Sequence, residues 1–282
     1  MAERAPAQSL LTVAGIQMAC GSDRDANFAK ALDLARIAVD RGAKIVCFAE
    51  CFAWPWFPRK AVEEHRQMAA PIPGTYTQAL QLLAEETGAV LVAPMFETAD
   101  DSAYYNTTVV VDANGHILGI YRKNHIPELP GYQERFYFKP GNLGFPVFKT
   151  RYATIGIQTC WDNFFPEGAR LLALKGAQIL MCPTACSSPA STAKWERAIA
   201  GHAVYNSVYA FRVNRIGTEG TMTFYGKSFC LDPNGDYVTE PAGAIEGVVL
   251  ADLDLDRIKL TRDDWTFFSD RRPGIYGEIT GC

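Results

Sequence analysis

Two Asn-Gly turns, at Asn114-Gly115 and Asn234-Gly235, interrupt a chain that otherwise alternates short apolar runs with helix-patterned segments. Asn-Gly between apolar runs favours a tight hairpin, because both residues tolerate positive φ. Segments 107–112 and 117–121, and segments 228–231 and 237–238, are therefore expected to be antiparallel neighbours. Elsewhere the pattern reads as strand then helix. Strand 10–18 precedes a helix with Ser22 as N-cap and Asp25 three residues on, and that helix runs to Gly42. Strand 45–49 precedes a helix at 77–87, and strands at 89–94, 153–157, 178–182, 208–213 and 247–253 follow, with helices at 167–175 and 193–206. Hairpins set into such an alternation exclude a purely parallel barrel. A mixed sheet, or two sheets packed together, is expected.

The 282 residues are 48% hydrophobic and 21% charged, which suits a globular chain with a large core. No Pro/Ser/Gly-rich linker divides the chain, so residues 1–282 read as one domain. Net charge is −4 and no basic block is present, so neither nucleic acid nor an anionic membrane surface is an expected partner. No run reaches the ~20 apolar residues of a membrane span. The start, Met1-Ala-Glu-Arg-Ala-Pro-Ala-Gln8, lacks the apolar stretch of a signal peptide. Of the eight cysteines, Cys47, Cys160, Cys182 and Cys230 lie in or beside apolar runs, as expected of reduced thiols in a cytoplasmic protein. The pairs Cys47/Cys51 and Cys182/Cys186 lie far apart with no clustered His, which argues against a zinc site. No Gly-rich phosphate loop is present, so no metal and no cofactor is expected.

Three apolar runs end on an ionisable residue. Ala43-Lys-Ile-Val-Cys-Phe-Ala-Glu50 delivers a carboxylate, Gly119-Ile-Tyr-Arg-Lys123 an ammonium, and Ala153-Thr-Ile-Gly-Ile-Gln-Thr-Cys160 a thiol. Strand ends are where α/β folds gather their chemistry. A thiol with a free pKa of ~8.5 needs a base or a cation to act as a nucleophile at neutral pH. His is the usual partner, but His65 and His116 are poorly placed for it, while His125 and His202 leave a Cys–His pair open. Alternatively Glu50 takes the thiol proton and returns it to a departing amine. Lys123 would then hold Glu50 in register and stabilise the oxyanion, with the backbone N–H of Trp161 as a second donor. Each residue also has a bland reading, as a solvated carboxylate, a surface cation or a structural thiol.

The sequence around these positions is more specific. Phe48-Ala-Glu-Cys-Phe52, Gly119-Ile-Tyr-Arg-Lys-Asn-His-Ile-Pro127 and Gln158-Thr-Cys-Trp-Asp-Asn-Phe-Phe-Pro-Glu167 resemble the three signatures of the nitrilase (carbon–nitrogen hydrolase) superfamily, in that family's order. The resemblance implies a four-layer α-β-β-α sandwich of the α/β class and a Glu-Lys-Cys triad at Glu50, Lys123 and Cys160. It also implies a supporting carboxylate, Glu134, in Gly131-Tyr-Gln-Glu-Arg-Phe-Tyr-Phe138. Two carboxylates around one ammonium would keep it charged when desolvated.

Within the superfamily, Asp two residues after the nucleophile, as in Cys160-Trp-Asp162, is more usual of amidases and carbamoylases than of nitrilases. The segment around Glu134 and Phe224-Tyr-Gly-Lys-Ser-Phe229 most resemble the branch acting on N-carbamoyl amines. The expected reaction is hydrolysis of a small linear amide or ureido compound through a Cys thioester, with release of ammonia. One departure from that branch is a shortened polar segment, Cys186-Ser-Ser-Pro-Ala-Ser-Thr192; Thr184 and Cys186 are expected to border the pocket. Trp54 and Trp56 could wall the pocket and attract a cationic tail, or could face an interface. The aromatic tail 255–282 is expected to reach a neighbouring subunit of a homodimer or larger homo-oligomer. A nitrilase proper and a catalytically silent scaffold are the rival readings.

Overall fold

The computed structural model describes residues 10–99 and 103–281, so the polar start at residues 1–8 lies outside it. Two six-stranded mixed sheets form the centre. The first contains β1 (Leu11–Gln17), β2 (Ile45–Phe48), β3 (Val90–Thr98), β4 (Tyr104–Val111), β5 (Ile117–Arg122) and β16 (Gly247–Leu253), in the order β16-β1-β2-β3-β4-β5. Two short ribbons, β6 (Glu128–Leu129) with β7 (Tyr132–Gln133) and β12 (Ile216–Glu219) with β13 (Met222–Tyr225), stand outside the sheets. The second sheet runs β15 (Tyr237–Thr239), β14 (Phe229–Leu231), β11 (Tyr209–Asn214), β10 (Ile179–Thr184), β9 (Thr154–Ile157), β8 (Val147–Lys149). In both sheets three parallel strands are flanked by antiparallel ones.

Both Asn-Gly turns join antiparallel partners, β4 with β5 and β14 with β15. Gly115 and Gly235 take φ values of 80° and 84°, in the left-handed region that glycine enters without penalty.

Strand alternation builds the layers. Val13, Ile45, Cys47, Val90 and Val92 point inward from the first sheet and meet Ile155, Ile157, Met181, Phe211 and Val213 of the second. The alternate residues Ala14, Ile16, Val46 and Phe48 point outward and are covered by α1 (Arg24–Asp40) and α2 (Thr75–Thr87). On the far side, Leu180, Cys182 and Ala210 are covered by α4 (Pro166–Leu174) and α5 (Thr192–Asn206). The result is an α-β-β-α sandwich. Central strands are apolar on both faces because both faces are buried, which is why they read as continuous runs rather than alternating ones.

Helix starts differ from the sequence reading. The N-cap of α1 is Asp23, not Ser22: its carboxylate accepts from the N–H groups of Asp25 and Ala26. A full negative charge also complements the helix dipole, which a serine hydroxyl does not. Helix α2 starts at Thr75 rather than Thr77, because the Thr77 hydroxyl closes the first turn by bonding the Gly74 backbone. The chain ends in α6 (Asp256–Asp264) and a series of exposed turns.

The sheets approach closely at Gly15, where an added Cβ would lie 2.8 Å from Val213 Cγ2 and 3.0 Å from Phe211 Cζ. Overpacking of this kind costs ~1–3 kcal/mol. Gly15→Ala should lower the urea midpoint by a corresponding amount with an unchanged m value; an unchanged midpoint would show that the sheets separate there without cost.

Candidate active site

Glu50 lies two residues past β2, Lys123 directly follows β5, and Cys160 lies three residues past β9, so both sheets contribute to one site. Glu134 opens the single-turn helix α3 (Glu134–Tyr137). Lys123 is completely buried between two completely buried carboxylates, donating to Glu50 Oε1 at 2.8 Å and to Glu134 Oε2 at 2.6 Å. Burial disfavours its charge, but Glu134 and Glu50 outweigh burial and hold the ammonium well above the ordinary lysine range. Burial pushes the Glu134 carboxyl up, against the pull of Lys123. Asn106 donates a further 2.7 Å hydrogen bond to Glu50 Oε1, and Glu50 Oε2 is buried with no hydrogen-bond partner among the described residues. A carboxylate oxygen so placed is free to take a proton.

Cys160 begins a 3₁₀ turn, Cys160–Phe164, and has φ of +48°, a left-handed conformation that costs a residue with a Cβ ~1–3 kcal/mol. The surrounding bonds hold it there. Asn163 Nδ2 donates to the carbonyls of Gln158 and Cys160 at 2.9 and 3.0 Å. The Asp162 carboxylate accepts from Thr159 N, Tyr121 OH, His125 N and His125 Nδ1. Burial raises the Cys160 thiol well above its ordinary pKa, and Glu50 is the neighbouring charge that raises it most, while Lys123 and the Ala185 N–H pull it down. Cys160 is therefore a neutral thiol at neutral pH and would need a base to act as a nucleophile.

None of the four histidines is hydrogen-bonded to Cys160. His125 bonds Asp162 and stacks on Phe165 at 3.7 Å, His202 donates Nε2–H to Asn163 O, and His65 meets Tyr137 OH. His116 stays in the β4–β5 turn. The Cys–His alternative therefore has no geometric support.

A cavity of about 420 Å³ opens over Cys160, walled by Trp161, Phe164, Tyr132, Cys186 and Trp195. Cys186 borders it as expected. Thr184 does not: its hydroxyl turns back to the Cys182 carbonyl within β10, because a buried hydroxyl needs a partner. Trp54 and Trp56 are also absent from the wall. Trp54 is fully buried, with Nε1 donating to Met68 O and its ring against Tyr76. Trp56 is 1% exposed and packs behind Tyr132, and its ring lies under the Arg215 guanidinium, 5.8 Å away. That guanidinium pairs with Glu219 of β12 at 2.6 Å.

Sequence reasoning missed Asn106 and the bonds converging on Asp162. Asn106 did carry a signal, a polar amide inside the apolar strand Tyr104–Val111. Among the described residues no group of three His, Cys, Asp or Glu side chains could hold a metal ion, and the described cysteines are free.

This fold and strand-end constellation define a class of hydrolytic enzymes. Residues 12–263 match the family model described as carbon-nitrogen hydrolase, and the chain belongs to that family. It is 43% identical to an N-carbamoylputrescine amidase of Solanum lycopersicum, over 95% of this chain and 94% of that protein. It is 38% identical to a citrullinase of Francisella tularensis, over 95% of this chain and 98% of that protein. A carbon-nitrogen hydrolase from Helicobacter pylori G27 superposes with a TM-score of 0.91 at 30% identity, over 96% and 98% of the two chains. The protein is thus an amidohydrolase-type enzyme of the nitrilase superfamily, and the silent-scaffold reading falls away.

Two pH effects follow. Alkylation of Cys160 by iodoacetamide should keep accelerating with pH beyond 9, since only the thiolate reacts and its formation is suppressed. A rate that levels off near pH 7 would contradict a neutral resting thiol. His202 behaves in the opposite sense. Burial lowers its pKa below the ordinary 6.5, so the folded state favours the neutral ring. Its contribution to stability is present above pH 6.5 and is lost as pH falls below that value. Between pH 7.5 and 5.5 the urea midpoint should drop more for the wild type than for His202→Gln; equal drops would remove His202 as the cause.

Proposed function

We propose that the protein hydrolyses a small linear N-carbamoyl amine or amide through a thioester on Cys160. The observation that carries this reading is the unpartnered Glu50 Oε2, buried beside a neutral thiol whose ionisation Glu50 opposes more than any other charge. Glu50 accepts the thiol proton as sulfur attacks the carbonyl carbon, then delivers it to the departing ammonia. General-base help of this kind is worth ~10²–10⁴-fold. Lys123 and the Trp161 N–H stabilise the oxyanion, a contribution of ~3–4 kcal/mol per donor. Glu134 keeps Lys123 charged and in place. Water, deprotonated by the same Glu50, then releases the acyl group. For a ureide, R–NH–CO–NH₂ and one water yield R–NH₂, carbon dioxide and ammonia.

Amide rather than nitrile chemistry is supported by the names of the relatives above and by the Asp162 position. An assembly of two or more copies is part of the proposal. Trp265, Ile275 and Ile279 of the tail are 66%, 62% and 62% exposed, and a neighbouring subunit would cover them. A cytoplasmic setting agrees with the free described thiols.

Ammonia release should be measured on linear ureides, short amides and the matching nitriles. Ureides or amides are expected to turn over, Cys160→Ala to abolish release, and Glu50→Gln to lower kcat by ~10²-fold or more. Turnover of nitriles alone would overturn the substrate class, and retained activity in Cys160→Ala would overturn the nucleophile.

A further inference from the structure

The cavity over Cys160 carries a charge gradient. Cys160 lines it, and the charged groups acting on that thiol, Glu50, Lys123 and Glu134, sum to one negative charge when both carboxylates are ionised. The lining itself carries a positive charge. Lys194 lines the cavity, and among the described residues it forms no ion pair. Behind Trp195, Arg212 is 1% exposed and lies 4.9 Å from the ring centroid. Among the described residues its guanidinium bonds neutral oxygens alone, the carbonyls of Gly226 and Lys227 and the Tyr225 hydroxyl, and its Nε has no partner. Two cations uncompensated by an ion pair thus flank Trp195, and no Asp or Glu lines the cavity among the described residues.

Two of the nearby indole rings already carry a guanidinium. Arg215 covers Trp56, and Arg212 and Phe164 lie against Trp195. The buried Arg212 charge is screened less than one on open surface.

We propose that the substrate is a linear ureido or amide compound whose distal end carries a carboxylate, received by Lys194 in the positive field of Arg212. This deepens the function proposed above and rests on it. The neutral reacting group sits at Cys160, and the anionic tail reaches Lys194. A cationic tail of the same length meets repulsion where the anion meets attraction.

Three matched ureides test this: 5-ureidopentanoate, N-butylurea and N-carbamoylputrescine, with kcat/KM read from ammonia release. The anion should exceed the cation by about tenfold, a free-energy difference of ~1.4 kcal/mol. Lys194→Met should lower the 5-ureidopentanoate to N-butylurea ratio about three- to fivefold, and Lys194→Glu should move the preference toward N-carbamoylputrescine. Higher kcat/KM for the cation, or a ratio unmoved by either substitution, would overturn the anionic-tail assignment while leaving the ureide hydrolase standing. If none of the three releases ammonia while short unbranched amides do, the ureido form is lost, and succinamate against butyramide then reads the same charge preference. If no ureide or amide is hydrolysed, both proposals fall together.

Discussion

The ammonium of Lys123, shut away from water between Glu50 and Glu134, is the interaction on which the site depends. Two carboxylates could not stay buried side by side without it. Deleting one partner of such a buried group typically costs ~3–5 kcal/mol, because the charge left behind has neither water nor a counterion. The cost of burial also explains the local architecture. Lys123 emerges directly from β5, Glu50 from β2, and Asn106 on β4 satisfies the Glu50 oxygen that also accepts from Lys123. Each side chain projects from a rigid strand or its immediate end, so little freedom remains to be lost when substrate binds.

The Cys160 side of the site is organised differently. Its thiol is kept neutral and its backbone is held at positive φ by a fan of bonds from Asn163 and Asp162. Asp162 accepts from Thr159 within its own turn and from Tyr121 and His125 at and just past the end of β5, and so ties the Cys160 turn to that strand. Its position in the sequence pointed to amide chemistry by resemblance; its bonds give it a physical task as well.

The strands and their ends were readable because burial on both faces leaves continuous apolar runs, and an ionisable residue closing such a run stands out. The hairpins were readable because Asn-Gly has few other uses between two strands. What escaped notice depends on partners distant in sequence. Trp54 and Trp56 follow the Glu50 strand and read equally as pocket or interface aromatics, yet both are buried, and Met68, Tyr132 and Arg215 take up their surfaces from elsewhere. The β12–β13 ribbon that supplies Glu219 to Arg215 is too short to announce itself. Thr184 was misplaced for a related reason, since a hydroxyl near the pocket can still turn inward to its own strand.

In the mechanism proposed above, the division of Glu50, Lys123 and Cys160 between two sheets makes the chemistry sensitive to how the halves are seated on one another. Nothing covalent fixes that seating among the described cysteines; it rests on side chains such as Val13, Ile157 and Phe211 interdigitating across the gap. A slippage of an ångström, too slight to alter helix content, would separate base from thiol. Loss of turnover should therefore be the earliest sign of thermal damage, with the catalytic group acting as an internal alignment mark for the whole sandwich.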